Sequence, residues 1–447
     1  MPRVIPCCVD VPEAESLVRY GLEELLRGLG LEVRWTRRDE AEIVVALEDA
    51  GGRGLVVTPQ ALEDLARRRR PDPASMGALE AAGEQWPVPV GPSGRSTLGD
   101  AVAGAAWWLA GIQETHGERD RHGRFPYAAS LQHRLGDAPG GALRPAVDAV
   151  RRALEVWLVG LGLEVERRTW GGAPWAVALT HDLDAVRTHR LRAGLGSLRR
   201  GGVLEAARRA LGPDRRRDSI ADLEAVGARH DARATWFVKP GAWTSEDIPG
   251  GLDARLVERL RAWSARGHEI GWHPGYGTAE RPDRLEVERQ RFEDAVGVSP
   301  RLARTHFLRW TDWTLGTLLE AGVRVDSTLG FAEHEGFRRG TSHPFRVFDL
   351  EADRATDLWE VSLSVMDTTL TDYRDTADLE GALLRVFASA QQAGGVAVVL
   401  WHNQVGGDTA EWMSRLDALD YALGHARAQG AAVGALEALL TAWRGRV

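Results

Sequence analysis

The chain has 447 residues, of which 44% are hydrophobic and 27% charged, with a formal net charge of −8. This is the composition of a folded globular protein of two or three domains, which excludes a disordered chain. No apolar run approaches the ~18 residues of a membrane-spanning helix, and the acidic balance argues against an electrostatic nucleic-acid binder.

The opening MPRVIPCCVDVPEAES lacks the apolar stretch of a secretion signal, so a cytoplasmic location is expected. Cys7 and Cys8 are adjacent and cannot staple distant segments. An amphipathic helix is expected from Ala14 to Leu29, leading through Gly30 into the strand LEVRW, then DEAEIVVAL and GRGLVVT. Residues 71–100, rich in Pro, Gly and Ser, read as loop or linker. A second helix is expected over Ala101 to Thr115, then the polar segment HGERDRHGRFPYAAS, then a helix from Arg144 to Leu161. Residues 1–165 thus form a smaller N-terminal accessory α/β domain, without a recognisable catalytic cluster. The runs Arg67 to Arg70 and Arg215 to Arg217 read as solvated charge. Lys239 is the single lysine.

From residue 166 to 447 the pattern changes to short apolar runs alternating with helical stretches, the signature of a parallel sheet covered on both faces. Each run ends in polar residues: WAVALT in His181-Asp182-Leu183-Asp184, ATWFV in Lys239, HEIGW in His273, RLART in His306, EVSLSV in Met366-Asp367 and VAVVL in Trp401-His402-Asn403; VRVDST contains Asp326. In a β/α barrel, chemistry gathers at the C-terminal ends of the strands. A C-terminal deformed (β/α) barrel is therefore the expected fold, with its site built from these residues.

Asp182 and Asp184 lie two apart and point to the same side of a strand. They read either as an Asx turn or cap, or as a metal ligand beside a free base. His273 adds an imidazole at another strand end, a donor suited to zinc and similar ions. His268-Glu269 does not make an HExxH site, because His273 stands five residues on. Arg304 reads as a carboxylate clamp or a surface ion pair, and His402 as a satisfied core group or a general acid. The 17 tryptophans outnumber Phe and Tyr together, and Trp272, Trp310 and Trp401, near strand ends, are the candidates for sugar stacking or for core packing.

In their order these motifs resemble the polysaccharide deacetylases of the NodB-homology type, carbohydrate esterase family four. THDLD resembles the first family motif, ATWFVKPG the ATFFV strand, GHEIGWH the metal-histidine motif GHEIGNH, RTHFLR the segment with the base-pairing arginine, and VVLWHN the closing motif. The resemblance runs over roughly residues 170–405. HPGYGT, the segment DSTLGFAEHEGFRRGTSHPFRVFDLE and MDTTL resemble a bacterial subgroup with an extra N-terminal domain. Carried over, it implies that Asp182 is the base, Asp184 and His273 hold one divalent metal ion, Arg304 tunes Asp182 and His402 protonates the leaving amine. Zinc is the expected ion, with cobalt, nickel or manganese also suited.

One position departs from the family pattern. Its second metal histidine falls on Gly277, within HPGYGT. His306 is the first candidate replacement and His343 the second. The implied activity is metal-assisted hydrolysis of an N-acetyl group on an amino sugar, in a polysaccharide or its precursor. The alternatives are an inactive carbohydrate-binding relative and a deacylase of a non-sugar amide on the same barrel.

Overall fold

The computed structural model of this protein describes residues 3–47, 53–68, 76–81, 84–89, 97–115, 117–137, 141–184, 215–244, 247, 252–403 and 409–445. Its N-terminal part is a parallel sheet in the order β2-β1-β3-β4, made of β1 (Arg3–Asp10), β2 (Leu31–Trp35), β3 (Ile43–Ala46) and β4 (Gly54–Val56). β1 is one of its two inner strands and is not expected from the sequence, because Pro6 lacks the N–H that a central strand normally donates. Here the Pro6 carbonyl still accepts from the Glu42 N–H at 2.8 Å, so one edge of that residue remains bonded.

The first helix, Glu15–Gly28, buries Leu17, Val18, Leu22, Leu25 and Leu26 along one face. It packs on the helix Leu98–Leu109, where Gly21 permits a close crossing: a Cβ there would stand 2.8 Å from that of Ala106. Thr97 and Asp100 close a capping box at the start of that second helix. The single helix expected over Ala101 to Thr115 is instead two, Leu98–Leu109 and Ile112–Thr115, parted at Gly111 with φ 72°. The Arg339 guanidinium occupies the space where any Cβ at residue 111 would lie. The supposed linker also carries structure: β5 (Met76–Ala81) and β6 (Glu84–Pro89) form an antiparallel hairpin.

The C-terminal part is one ten-stranded sheet, curled as a half-barrel, in the order β12-β13-β11-β10-β9-β8-β7-β15-β14, with β16 also on β7. Its strands are β7 (Ala176–Leu183), β8 (Thr235–Val238), β9 (Glu269–Trp272), β10 (Leu302–Ala303), β11 (Val325–Asp326), β12 (Phe345–Asp349), β13 (Arg354–Glu360), β14 (Leu363–Met366), β15 (Val396–Leu400) and β16 (Ala432–Gly434). All pairings are parallel except β12–β13. β7, β8 and β15 are buried throughout, as continuous apolar runs require when both faces are covered. EVSLSV is divided between β13 and β14, with a break in the strand at Val361-Ser362. No helix among the described residues is long and apolar enough to cross a membrane.

The two parts meet across a charged seam. Arg338 donates to both oxygens of Glu114, at 3.0 and 2.5 Å, and Arg339 lies 3.1 Å from the same carboxylate. Burial works against Glu114 ionising, and Arg338 and Arg339 outweigh it, so the pKa falls below the usual value. A second knot joins Asp148 to Thr341 Oγ1 and Ser342 Oγ at 2.6 Å, to the Ser342 N–H at 2.8 Å and to Arg151 at 2.5 Å. Removing Glu114 would leave two buried guanidinium groups without a counter-charge. Glu114→Ala is expected to destabilise the protein by about 3–5 kcal/mol in urea unfolding; a loss below about 1 kcal/mol would show that water already screens the seam.

Candidate active site

β7, β9, β10 and β15 deliver the sequence candidates to one place. Asp182 and Asp184 close β7, His273 follows β9, Arg304 and His306 follow β10 and His402 follows β15. Asp184 Oδ1 lies 3.1 Å from His273 Nε2 and 3.0 Å from His306 Nδ1, and those two nitrogens are 3.1 Å apart. His273 Nδ1 donates to the Arg304 carbonyl at 2.6 Å, so its Nε2 turns a lone pair into the cluster. Burial lowers the His306 pKa, although Asp184 opposes the shift. Burial works against the Asp184 carboxylate, but His306 and His273 overcome it and hold its pKa well below the usual range. One carboxylate oxygen and two imidazole nitrogens, all buried, converge as a divalent-ion donor set does.

The place of the missing histidine has a backbone explanation. Gly277 has φ 73°, and a Cβ on it would face Arg309, Glu280 and Arg284 rather than Asp184 and His273. HPGYGT is folded around two carboxylates instead. Glu288 accepts from the Gly275 N–H at 3.0 Å and from Thr278 Oγ1 at 2.7 Å, and Asp247 from the Tyr276 N–H at 2.9 Å. His306 reaches the cluster from the neighbouring strand end through a strained turn, with Phe307 at φ 62° and Leu308 at φ 53°. Such backbone persists only when overdetermined. Here the His306 N–H donates to the Pro274 carbonyl at 3.0 Å and Thr305 Oγ1 to the Arg309 carbonyl at 2.6 Å. His343 is held by Asp148 at 3.2 Å in the seam between the two parts and is not in the cluster.

On one side of the cluster, Arg304 is fully buried and donates to Asp182 Oδ1 at 3.0 Å, Thr180 Oγ1 at 2.8 Å, Ser327 Oγ at 2.8 Å and the Ser327 carbonyl at 2.9 Å. Its guanidinium lies 4.4 Å from the centre of the Phe237 ring. On the other side, His402 Nδ1 meets Asp367 Oδ1 at 2.6 Å, and its Nε2 lies 3.9 Å from Asp184 Oδ2. Burial disfavours the charged ring, but Asp367 outweighs it and lifts the His402 pKa to about 9. The ring is therefore an imidazolium at neutrality. The sequence places Asp367 at a strand end but gives it no role; an acid at one strand end facing a histidine at the next is the signal that was there. Lys239, likewise placed at a strand end without a role, is buried, its Nζ 3.4 Å from His306 Nε2 and 3.6 Å from Asp247.

Asp182, Asp184, His273, His306 and His402 line one cavity of about 260 Å³. Trp272 and Trp401 are 0% exposed and Trp310 is 9%, and none of them lines it. The stacking expectation is corrected accordingly: these indoles fill the core, where an apolar body of that size is most stabilising. Phe307 and Tyr373 are the aromatic residues on the cavity wall.

No family model matches the sequence, and no curated protein does. Solved structures similar to the chain include a Mycobacterium smegmatis protein described as a polysaccharide deacetylase, at 20% identity and TM-score 0.40, covering 60% of this chain and 88% of its own. A Pseudomonas aeruginosa protein with the same description has 16% identity and TM-score 0.42, covering 61% and 92%. A carbohydrate esterase family four pseudoenzyme from Bacillus anthracis has 13% identity and TM-score 0.31, covering 60% and 66%. Likenesses this distant leave the chemistry to be argued from the side chains.

Beneath Arg304, Asp326 and Glu360 stand opposite each other in the β11–β13 ladder, both 0% exposed. Burial first, and then the Asp326 charge, raise the Glu360 pKa well above its usual 4.5. A raised carboxylate favours the folded state fully below its unfolded pKa and loses that advantage as pH rises toward the folded value. Glu360→Gln mimics the protonated acid and does not titrate. In urea unfolding, the stability of Glu360→Gln relative to wild type should therefore rise between pH 5 and pH 8. A difference that stays constant over that window would mean that Glu360 is ionised in the folded protein.

Proposed function

We propose that this protein is a metal-dependent N-deacetylase of the NodB-like polysaccharide deacetylase type, hydrolysing an N-acetyl group on an amino sugar. The observation that carries the reading is the convergence in one cavity of Asp184, His273 and His306, flanked by the Arg304–Asp182 and Asp367–His402 pairs. Asp184 Oδ1, His273 Nε2 and His306 Nδ1 would hold the ion. When bound, a divalent ion there acidifies water and polarises the acetyl carbonyl.

The remaining work falls to the chain's own side chains. Asp182 is fixed through Oδ1 by Arg304, which leaves Oδ2 to take the proton of the attacking water. Arginine's planar fork reaches Asp182, Thr180 and Ser327 at once, so lysine could not replace it. His402 keeps its Nδ1 proton on Asp367 and offers the Nε2 proton to the departing amine. A pKa of about 9 means that the acid is charged before the reaction starts. Two groups of opposite assignment, held apart by their environments, are what general base and general acid steps require.

The first test is metal content. About one divalent ion per chain is expected after reconstitution with zinc, cobalt, nickel or manganese, and it should be lost in Asp184→Ala, His273→Ala and His306→Ala. Retention in His306→Ala would return the third position to another residue. No ion in the wild type would end the metallohydrolase reading.

The second test is turnover, followed as acetate released from N-acetylated amino sugars and their oligomers. Asp182→Asn and His402→Ala are each expected to lose at least about 10²-fold in kcat while keeping the metal and the wild-type circular dichroism. Near wild-type turnover in either would remove that residue from the mechanism.

A further inference from the structure

The N-terminal part contributes to the cavity wall as well as packing on the barrel. Its segment 118–124 carries Arg124 into the cavity beside Asp184, His306 and His402. Arg124 is the only arginine or lysine among the described residues that line it. The loop that presents it is built around Asp120. Asp120 Oδ1 accepts from the backbone N–H groups of His122 and Arg124, at 2.8 and 2.9 Å, and Oδ2 accepts from Arg124 Nε at 2.7 Å. The Asp120 N–H closes the turn on the Arg124 carbonyl at 2.9 Å, and Gly123 supplies the left-handed φ of 74°.

This anchorage fixes the guanidinium by its Nε edge and leaves its terminal amino groups, beside the Tyr373 phenol, as the end that can meet a ligand. The flanking residues are pinned to the barrel, so the arginine is preorganised. The Phe125 ring lies under Arg338, 5.8 Å from its guanidinium, Tyr127 stacks on His334 at 3.8 Å, and His122 packs against Phe307 at 4.7 Å. Arg124 is itself paired with Asp120 through Nε, and Asp182 and Asp372 already have their own arginines, Arg304 at 3.0 Å and Arg415 at 3.5 Å. Closing a surface loop does not require an arginine 8% exposed on the wall of a catalytic cavity. Binding an anion in a fixed place does.

We infer that Arg124 selects the substrate by binding an anionic group, a carboxylate or a phosphate, carried by the same sugar as the acetamido group or by its immediate neighbour. This rests on the deacetylase reading and narrows it: the substrate class is an acidic N-acetylated sugar, and the N-terminal part is its specificity element.

The test uses metal-loaded full-length protein and three probes: N-acetylglucosamine, its uronic acid and its 1-phosphate. The wild type should prefer one acidic probe to the neutral one. In Arg124→Gln the ratio of kcat/KM for that acidic probe over the neutral one should fall roughly 10- to 100-fold, through KM. Arg124→Lys, which keeps the charge and loses the fork, should fall in between. Which acid is preferred identifies a carboxylate or a phosphate as the group read. Calorimetric binding of the same probes provides a readout free of turnover. If nothing is deacetylated but the acidic probe still binds in an Arg124-dependent way, the deacetylase reading fails and the anion site stands. No preference for an acidic probe, or equal losses on charged and neutral probes in a folded Arg124→Gln, would overturn the inference.

Discussion

A guanidinium with no access to solvent has to be compensated on every side, and Arg304 is where that requirement organises the barrel's end. Its side chain bonds Thr180 and Asp182 on β7 and Ser327 just beyond β11, while its own carbonyl receives His273 from β9. Four strand ends are thereby held in one register. Moving such a charge from water inward costs several kcal/mol unless it is paired and fully hydrogen-bonded. The geometry that satisfies Arg304 therefore also sets where the Asp182 carboxylate and the His273 lone pair point. The cluster of Asp184, His273 and His306 inherits its shape from this arrangement, because His306 lies two residues beyond Arg304 on the same strand exit.

The burial of the site and its charge pattern depend on each other. Asp184 stays anionic beside His273 and His306, and His402 stays cationic against Asp367, within one cavity. Burial disfavours both charges, and each persists because its partners stand within hydrogen-bond distance, where the low dielectric strengthens their attraction. The coupled pair Asp326 and Glu360 carries the same logic one layer down, where one proton substitutes for a missing counter-charge.

Much of this was legible in the sequence, for a physical reason. Strands covered on both faces read as uninterrupted apolar runs, and the polar residues that end them are the ones a barrel turns toward a ligand. Asp182, Asp184, His273, Arg304, His306 and His402 all announce themselves in that way. What stayed hidden depends on partners far along the chain. Asp367 acquires meaning only when β14 is set beside β15, and Arg124 only when the N-terminal part lies against the sheet. Aromatic stacking was misjudged because a tryptophan near a strand end is equally a core residue: Trp272 points into the packed side, whereas Phe307 faces the cavity. The hairpin of β5 and β6 escaped because Pro and Gly signal a turn without saying whether strands flank it. The seam through Glu114 and Asp148 was likewise invisible, since nothing local marks a carboxylate that will meet side chains about two hundred residues away.

The lone lysine has a practical consequence of a different kind. With 447 residues and one side-chain amine, and that amine beside His306, the outer surface of this protein carries its positive charge as guanidinium. Reagents that acylate, cross-link or immobilise proteins through lysine find no side-chain handle on the exterior. Any such adduct on a lysine would sit in the candidate centre itself. Modification of a lysine side chain, usually the least selective way to mark a protein, becomes in this chain a local reporter of access to one buried place.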